Sequence, residues 1–354
     1  MTMDDDTYYR QVDLAAYRQE LDEFLPPVVL DFHAHTWLQR HLGPIPWEAG
    51  VPGGNYMIVN TEYSREALAA DGQRFFPDRR YQAVCFGYPV PSADLDACNS
   101  YCLEAGRQGW CYPLLLVARD CPPKEVLRQQ ILDGGFFGYK VVLPWFGDDY
   151  GDVTVEDMLS DVAMEVANEL QLVIMLHLPR SLRLADPLNI ASLRHLSAAY
   201  PGAQIVVAHA GRSYCASTMR AGIGPLRDLP NVYFEVSMVQ EPLVIQILLD
   251  HVDAQRVFFG TDLPVAAMRG RRVCINNRWI DVVREPDQGS SFRLSSPNLP
   301  ATFMVYEIAR AVRDGALLAG LAPAQLAAIF YENGMAALRR VADGRQLARR
   351  RGLA

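Results

Sequence analysis

Short, largely apolar runs alternate along this chain with longer stretches whose apolar residues recur at helical spacing. Residues 28–35, 81–87, 112–118, 136–143, 172–176, 203–208, 232–236 and 256–259 are such runs, rich in β-branched and aromatic side chains. They predict strands buried on both faces. Helices are predicted between them, at 64–71, 92–108 with Ser92 as N-cap, 122–132, 154–170 with Thr154 and Asp157 at its start, 187–200, 216–226 and 242–249. Further helices are expected at 302–314 and 323–340. Eight buried strands, each followed by a helix, make parallel β/α units, which close most naturally into a (β/α)8 TIM barrel of the α/β class. An open doubly wound sheet is the alternative, weakened because the first strand lacks a Gly-rich phosphate loop after it.

Two segments lie outside the alternation. Residues 1–27 form a helical extension, with Val12, Leu14, Tyr17, Leu21 and Phe24 on one side and Pro26-Pro27 ending it. Residues 263–300 are an insertion after the eighth strand. Within it 272–275 and 278–282, around Asn276-Asn277, read as a β-hairpin. It leaves the barrel at the end where strands carry chemistry, so it is placed to act as a lid or a packing contact. No linker splits the chain, and 1–354 reads as one domain.

Composition narrows the function. Half the residues are apolar, enough for a large core, yet no run reaches the ~18 needed to span a membrane. The acidic start, Met1 to Asp6, does not resemble a secretory or organelle leader. A net charge of -8 argues against nucleic acid as partner, and the Arg-rich tail (Arg345, Arg349, Arg350, Arg351) reads as a solvated end. The seven cysteines are scattered without a CxxC pair, which predicts reduced thiols in a cytoplasmic protein. Only two of the 33 basic residues are lysine, Lys124 and Lys140. A lysine kept in such a chain is a candidate for work arginine cannot do, such as losing its proton or becoming carboxylated.

Polar residues gather at predicted strand ends: His33 and His35 on the first, Lys140 on the fourth, His177 on the fifth, His209 on the sixth, Asp262 just after the eighth. Residues at i and i+2 of a strand share a face, so His33 and His35 project together. In a barrel the C-terminal strand ends meet at one mouth. Imidazoles and a carboxylate gathered there suit zinc or another first-row divalent ion. The other three histidines, His41, His195 and His251, fall elsewhere.

His33-Ala34-His35, Gly138-Tyr139-Lys140, His177, His209-Ala210-Gly211, Gly260-Thr261-Asp262 and the late 329–334 segment with Asn333 together resemble the amidohydrolase superfamily. The resemblance is to its amidohydrolase-related group, which includes aminocarboxymuconate semialdehyde decarboxylase. The resemblance implies one divalent metal, Zn2+ or else Mn2+, on His33, His35, His177 and Asp262. It implies that His209 polarises the substrate and that Asp262 also moves a proton. In some members a carboxylated lysine bridges two ions; here Lys140 would do so, recruiting His177 and His209 to the second. Arg119, Arg180 and Arg212 lie just past strand ends and suit a small anionic substrate, with Trp37, Trp145 and Phe146 as an apolar wall. Cys215, near His209, reads as an inert buried thiol rather than a nucleophile. The leading expectation is hydrolysis of an ester, lactone or amide by a metal-activated water. A non-oxidative decarboxylase of an unsaturated or aromatic acid is the alternative, and a non-catalytic binding barrel a third. A homo-oligomer is compatible with all three.

Overall fold

The computed structural model describes residues 4–43, 62–88, 92–117, 121–141, 143, 151–284, 292–293 and 300–350. Among these, eight parallel strands follow one another around a ring: β1 (Val28–His35), β2 (Arg80–Phe86), β3 (Cys111–Pro113, resumed at Leu115–Leu116), β4 (Gly138–Val141), β5 (Val173–Leu176), β6 (Gln204–Val207), β7 (Val232–Glu235) and β8 (Val257–Phe258). Each pairs with the next, and β3 is interrupted at Leu114, so one half of it bonds β2 and the other β4. Three backbone bonds join the end of the ring to its start: Phe32 N to Phe259 O, Asp262 N to His33 O, and His35 N to Leu263 O, at 2.8–2.9 Å. The predicted barrel is therefore closed between its last and first strands, and the open-sheet alternative falls.

The strands are buried on both faces, as runs such as Val173–Leu176 require once helices cover the outside. Gly138 shows how tight the walls are. Its φ is +154°, and a Cβ there would lie 1.8 Å from the Val173 carbonyl oxygen of β5. Among the described residues no helix is long and apolar enough to cross a membrane.

Local chemistry moves several predicted boundaries. The helix after β2 starts at Leu95, not Ser92, because Asp94 caps it by accepting from Ala97 N. The 154–170 stretch splits into Val155–Met158 and Asp161–Leu170: Ser160 takes over as a second N-cap, bonding Ala163 N. The last predicted helix breaks at Tyr331 into Pro323–Phe330 and Glu332–Arg350. The N-terminal extension is helical from Asp5 to Leu21, with two π-type turns. It packs on Met304–Leu318 through Tyr17 against Tyr306 and an Arg310–Glu20 ion pair at 2.7 Å.

The insertion contains the predicted hairpin, β9 (Gly270–Ile275) and β10 (Arg278–Val283), turning at Asn276 and Asn277, both left-handed. One expectation is overturned here. Cys215, on the loop after β6, and Cys274, on β9, form a disulfide across 59 residues of sequence, with Cα atoms 5.7 Å apart. The pairing was invisible in the spacing because folding brings together cysteines from unrelated segments. Cys85, Cys98, Cys102, Cys111 and Cys121 are free.

Candidate metal centre

β1 carries the first ligands into the barrel. Asp31, midway along it, is fully buried and accepts from His33 N (3.0 Å), Tyr81 OH (2.8 Å) and Thr261 N (2.9 Å), and from the Thr261 hydroxyl. Burial pushes this carboxyl up to about 7 against those donors. It ties β1 to β2 and to the turn after β8, which holds Asp262 opposite the histidine pair. The pairing of β1 with β2 slips by one residue between Asp31 and Ala34, the stretch that carries His33.

His33 and His35 are oriented from behind. His33 Nδ1 donates to Glu235 Oε2 at 2.8 Å, and His35 Nδ1 donates to the Gly87 carbonyl at 3.1 Å. With the proton assigned to Nδ1 by these acceptors, both Nε2 atoms present bare lone pairs. Asp262 Oδ1 lies 3.4 Å from His33 Nε2 and 3.2 Å from His35 Nε2. Three electron-pair donors thus face one another in a buried space. A tetrahedral ion with bonds of 2.0–2.1 Å spaces its ligands by about 3.3 Å, close to the separation of Asp262 Oδ1 from each imidazole. The residues present fit a divalent metal.

The second half of the site lies on β4 to β7. Lys140 Nζ is buried between His33 Nε2 (3.5 Å) and His177 Nε2 (3.3 Å), over the Phe86 ring. Burial, partly offset by Asp262 and Glu235, brings its ammonium down to about 7. Burial, together with the Lys140 charge, also holds His33 and His177 below the ordinary histidine range. His177 Nε2 is 2.9 Å from His209 Nε2. His209 Nδ1 lies 2.7 Å from the Ser237 hydroxyl and 3.3 Å from the Ser237 carbonyl: a proton given by the hydroxyl leaves the imidazole proton on Nε2, facing the centre, and one given to the carbonyl leaves Nε2 bare. Glu235 organises both halves: besides His33 it accepts from His209 N at 3.1 Å and from Ser237 N. Gly260 gives its carboxylate room, since a Cβ there would sit 2.4 Å from Glu235 Oε1.

The predicted residues therefore converge, with one refinement. The donors form two overlapping groups, His33–His35–Asp262 and His33–His177–His209, rather than a single four-ligand set. Arg212 is close enough that its charge bears on His177. Arg180 is paired with Asp186 at 3.0 Å. Trp37 is buried against Tyr88, and Arg119, Trp145 and Phe146 lie outside the described residues. The sequence reading missed Glu235, Ser237, Arg183 and Tyr214. For Glu235 a signal existed: an acid ending a buried apolar strand, the same feature that singled out Lys140.

The family model described as Amidohydrolase matches residues 30–340. A search of curated proteins finds no match. Among solved structures, a putative 2-pyrone-4,6-dicarboxylic acid hydrolase from Pseudomonas putida is similar over 89% of this chain and 99% of its own (17% identity, TM-score 0.55). So is 5-carboxyvanillate decarboxylase LigW from Sphingomonas paucimobilis, over 89% and 99% (12%, 0.54). A 5-carboxyvanillate decarboxylase, LIGW2, from Novosphingobium aromaticivorans, solved with bound manganese, is similar over 88% and 97% (13%, 0.50). At these identities the likeness is one of fold, and it agrees with the closed barrel.

Proposed function

Because this chain belongs to the amidohydrolase family, we propose that it is a metal-dependent hydrolase of an ester, lactone or amide bond in a small anionic molecule. The observation that carries this is the donor triangle of His33, His35 and Asp262, spaced for a tetrahedral ion and anchored from behind by Glu235 and Gly87. A divalent ion, Zn2+ or else Mn2+, would be held by these three residues with His177 beside them; when bound it supplies Lewis acidity and water acidic enough to ionise near neutrality. Asp262, the one partly exposed member of the triangle, takes a proton from the attacking water and passes it to the leaving group. His209 donates from Nε2 to the oxygen on which negative charge develops, its ring set by Ser237. Arg212 holds the substrate's own negative charge.

A second reading, non-oxidative decarboxylation of an unsaturated or aromatic acid on the same residues, is favoured by Arg212, whose charge bears on His177. A second ion is favoured by the separate His33–His177–His209 group with Lys140 at its edge. The test is to load purified protein with zinc or manganese, count bound ions, and screen carboxylate-bearing esters, lactones and amides for acid release and the matching acids for carbon dioxide. Acid release lost in Asp262→Asn supports hydrolysis. Carbon dioxide release without acid release replaces it with the second reading, and no bound metal removes both.

A further inference from the structure

Four arginines stand on the loops and the hairpin near the centre, and two of them are already neutralised. Arg180 is paired with Asp186. Arg272, on β9, binds both oxygens of Asp281 at 2.8 and 2.9 Å and is clamped between the rings of Tyr214 (4.4 Å) and Trp279 (4.1 Å). Arg183 and Arg212 have no carboxylate within 4 Å among the described residues, although both are partly buried. Arg183 Nη1 instead donates to the Arg212 carbonyl at 3.4 Å, so two like charges share one corner.

The backbone is strained to keep them there. Arg183 is left-handed (φ 57°), and His209, Ala210, Gly211 and Arg212 are left-handed in succession (φ 52°, 46°, 70°, 58°). L-residues avoid this region, and such runs persist where function requires them. The two loops are pressed together at Gly211, where a Cβ would meet the Leu184 Cβ at 2.8 Å. The strained turn begins at His209, whose ring lies 6.1 Å from Tyr214.

We propose that Arg183 and Arg212 form a carboxylate-receiving subsite beside His177 and His209, so that the substrate class is small organic acids whose carboxylate lies away from the reacting carbon. This rests on the reading above only in taking the histidine centre as the place of reaction. Two guanidinium forks with no carboxylate partner among the described residues are unfavourable in a half-buried corner until an anion arrives, and a carboxylate matches a fork bidentately. The anion is then held from the β5 and β6 loops, with the rest of the molecule over the imidazole Nε2 atoms.

The experiment is calorimetric titration of zinc-loaded and metal-free protein with glutarate and benzoate, and with their neutral amides as controls. Carboxylates are expected to bind both forms, and the amides to bind neither. Arg183→Met and Arg212→Met should each weaken carboxylate binding by about tenfold or more. Arg183→Lys, which keeps the charge and the stem but loses the fork, should fall between, with bound zinc and melting temperature unchanged. Unaltered affinity in both Met variants, or no binding to the parent protein, overturns the proposal. Carboxylate binding without any turnover would instead count against the hydrolase reading and leave this subsite standing. Turnover of neutral esters with no carboxylate binding would do the reverse.

Discussion

Glu235 uses both carboxylate oxygens on its neighbours: it sets His33, the His209 backbone and Ser237 in place. Burial raises its carboxyl, and the His209 charge and the Ser237 donors oppose the rise. Glu235→Gln keeps the shape but lets an amide NH2 face His33 Nδ1, so the imidazole flips its proton or its ring. Metal affinity should drop about 10–100-fold, as loss of such supporting partners typically costs, with only a small change in the melting temperature of metal-free protein. Competition against a chromogenic chelator measures this, and an unchanged affinity would mean that His33 is oriented by packing alone. Gly138→Ala tests the wall rather than the site. With backbone 1.8 Å from the new Cβ and φ at +154°, the β4–β5 ladder has to open, and a loss of about 3 kcal/mol or more is expected in urea unfolding.

At the scale of elements, the hairpin's attachment is the feature with most consequence. The Cys215–Cys274 bond fastens β9 to the loop that begins with His209, and the Tyr214–Arg272–Trp279 stack lies alongside it. Closing a loop of this length stabilises a chain by up to about 4 kcal/mol in the entropic account. Cys274→Ser, or reduction of the parent protein, should therefore lower unfolding free energy by about 2–4 kcal/mol. Reductant should have no further effect on the variant. Equal stability of parent protein with and without reductant would show that the two thiols are not joined. The stack continues to hold Tyr214 when the bond is cut, so stability is expected to fall more than substrate affinity.

Across the whole molecule the centre is a store of unfavourable energy that an ion releases. His33, His177 and His209 are kept below the usual histidine range by burial. The unfolded chain takes up these protons below about pH 6.5, whereas the folded one resists them, so metal-free protein should lose stability as pH falls from 6.5 towards 5. The slope is at most about 1.4 kcal/mol per pH unit for each histidine. Asp31 and Glu235, whose carboxyls burial raises, hold protons that the unfolded chain has released and offset part of this slope. Urea midpoints at pH 7.5, 6.5 and 5.5 check the balance, and stability that rises as pH falls would overturn it. Zinc at a hundred times its dissociation constant should raise stability at pH 7.5 by about 2.7 kcal/mol, and a chelator should remove the gain.

The sequence by itself determined the eight strands, because a run buried on both faces must be apolar throughout, and it marked the ends of those strands by the polar residues that interrupt them. Val28–His35 is the clearest case: its apolar start marks the strand, and its paired histidines mark the candidate metal centre. The hairpin was legible from Asn276-Asn277 for the same local reason. What only the tertiary structure decided depends on which segments meet. Glu235 becomes a support for His33 once β7 faces β1, and Arg180 gains an ion-pair partner because Asp186 lies within reach. Cys215 finds Cys274 because the hairpin packs against the loop after β6. Periodicity and composition report how each residue relates to solvent, while pairings between distant residues follow from ring closure, and nothing local in the chain records them.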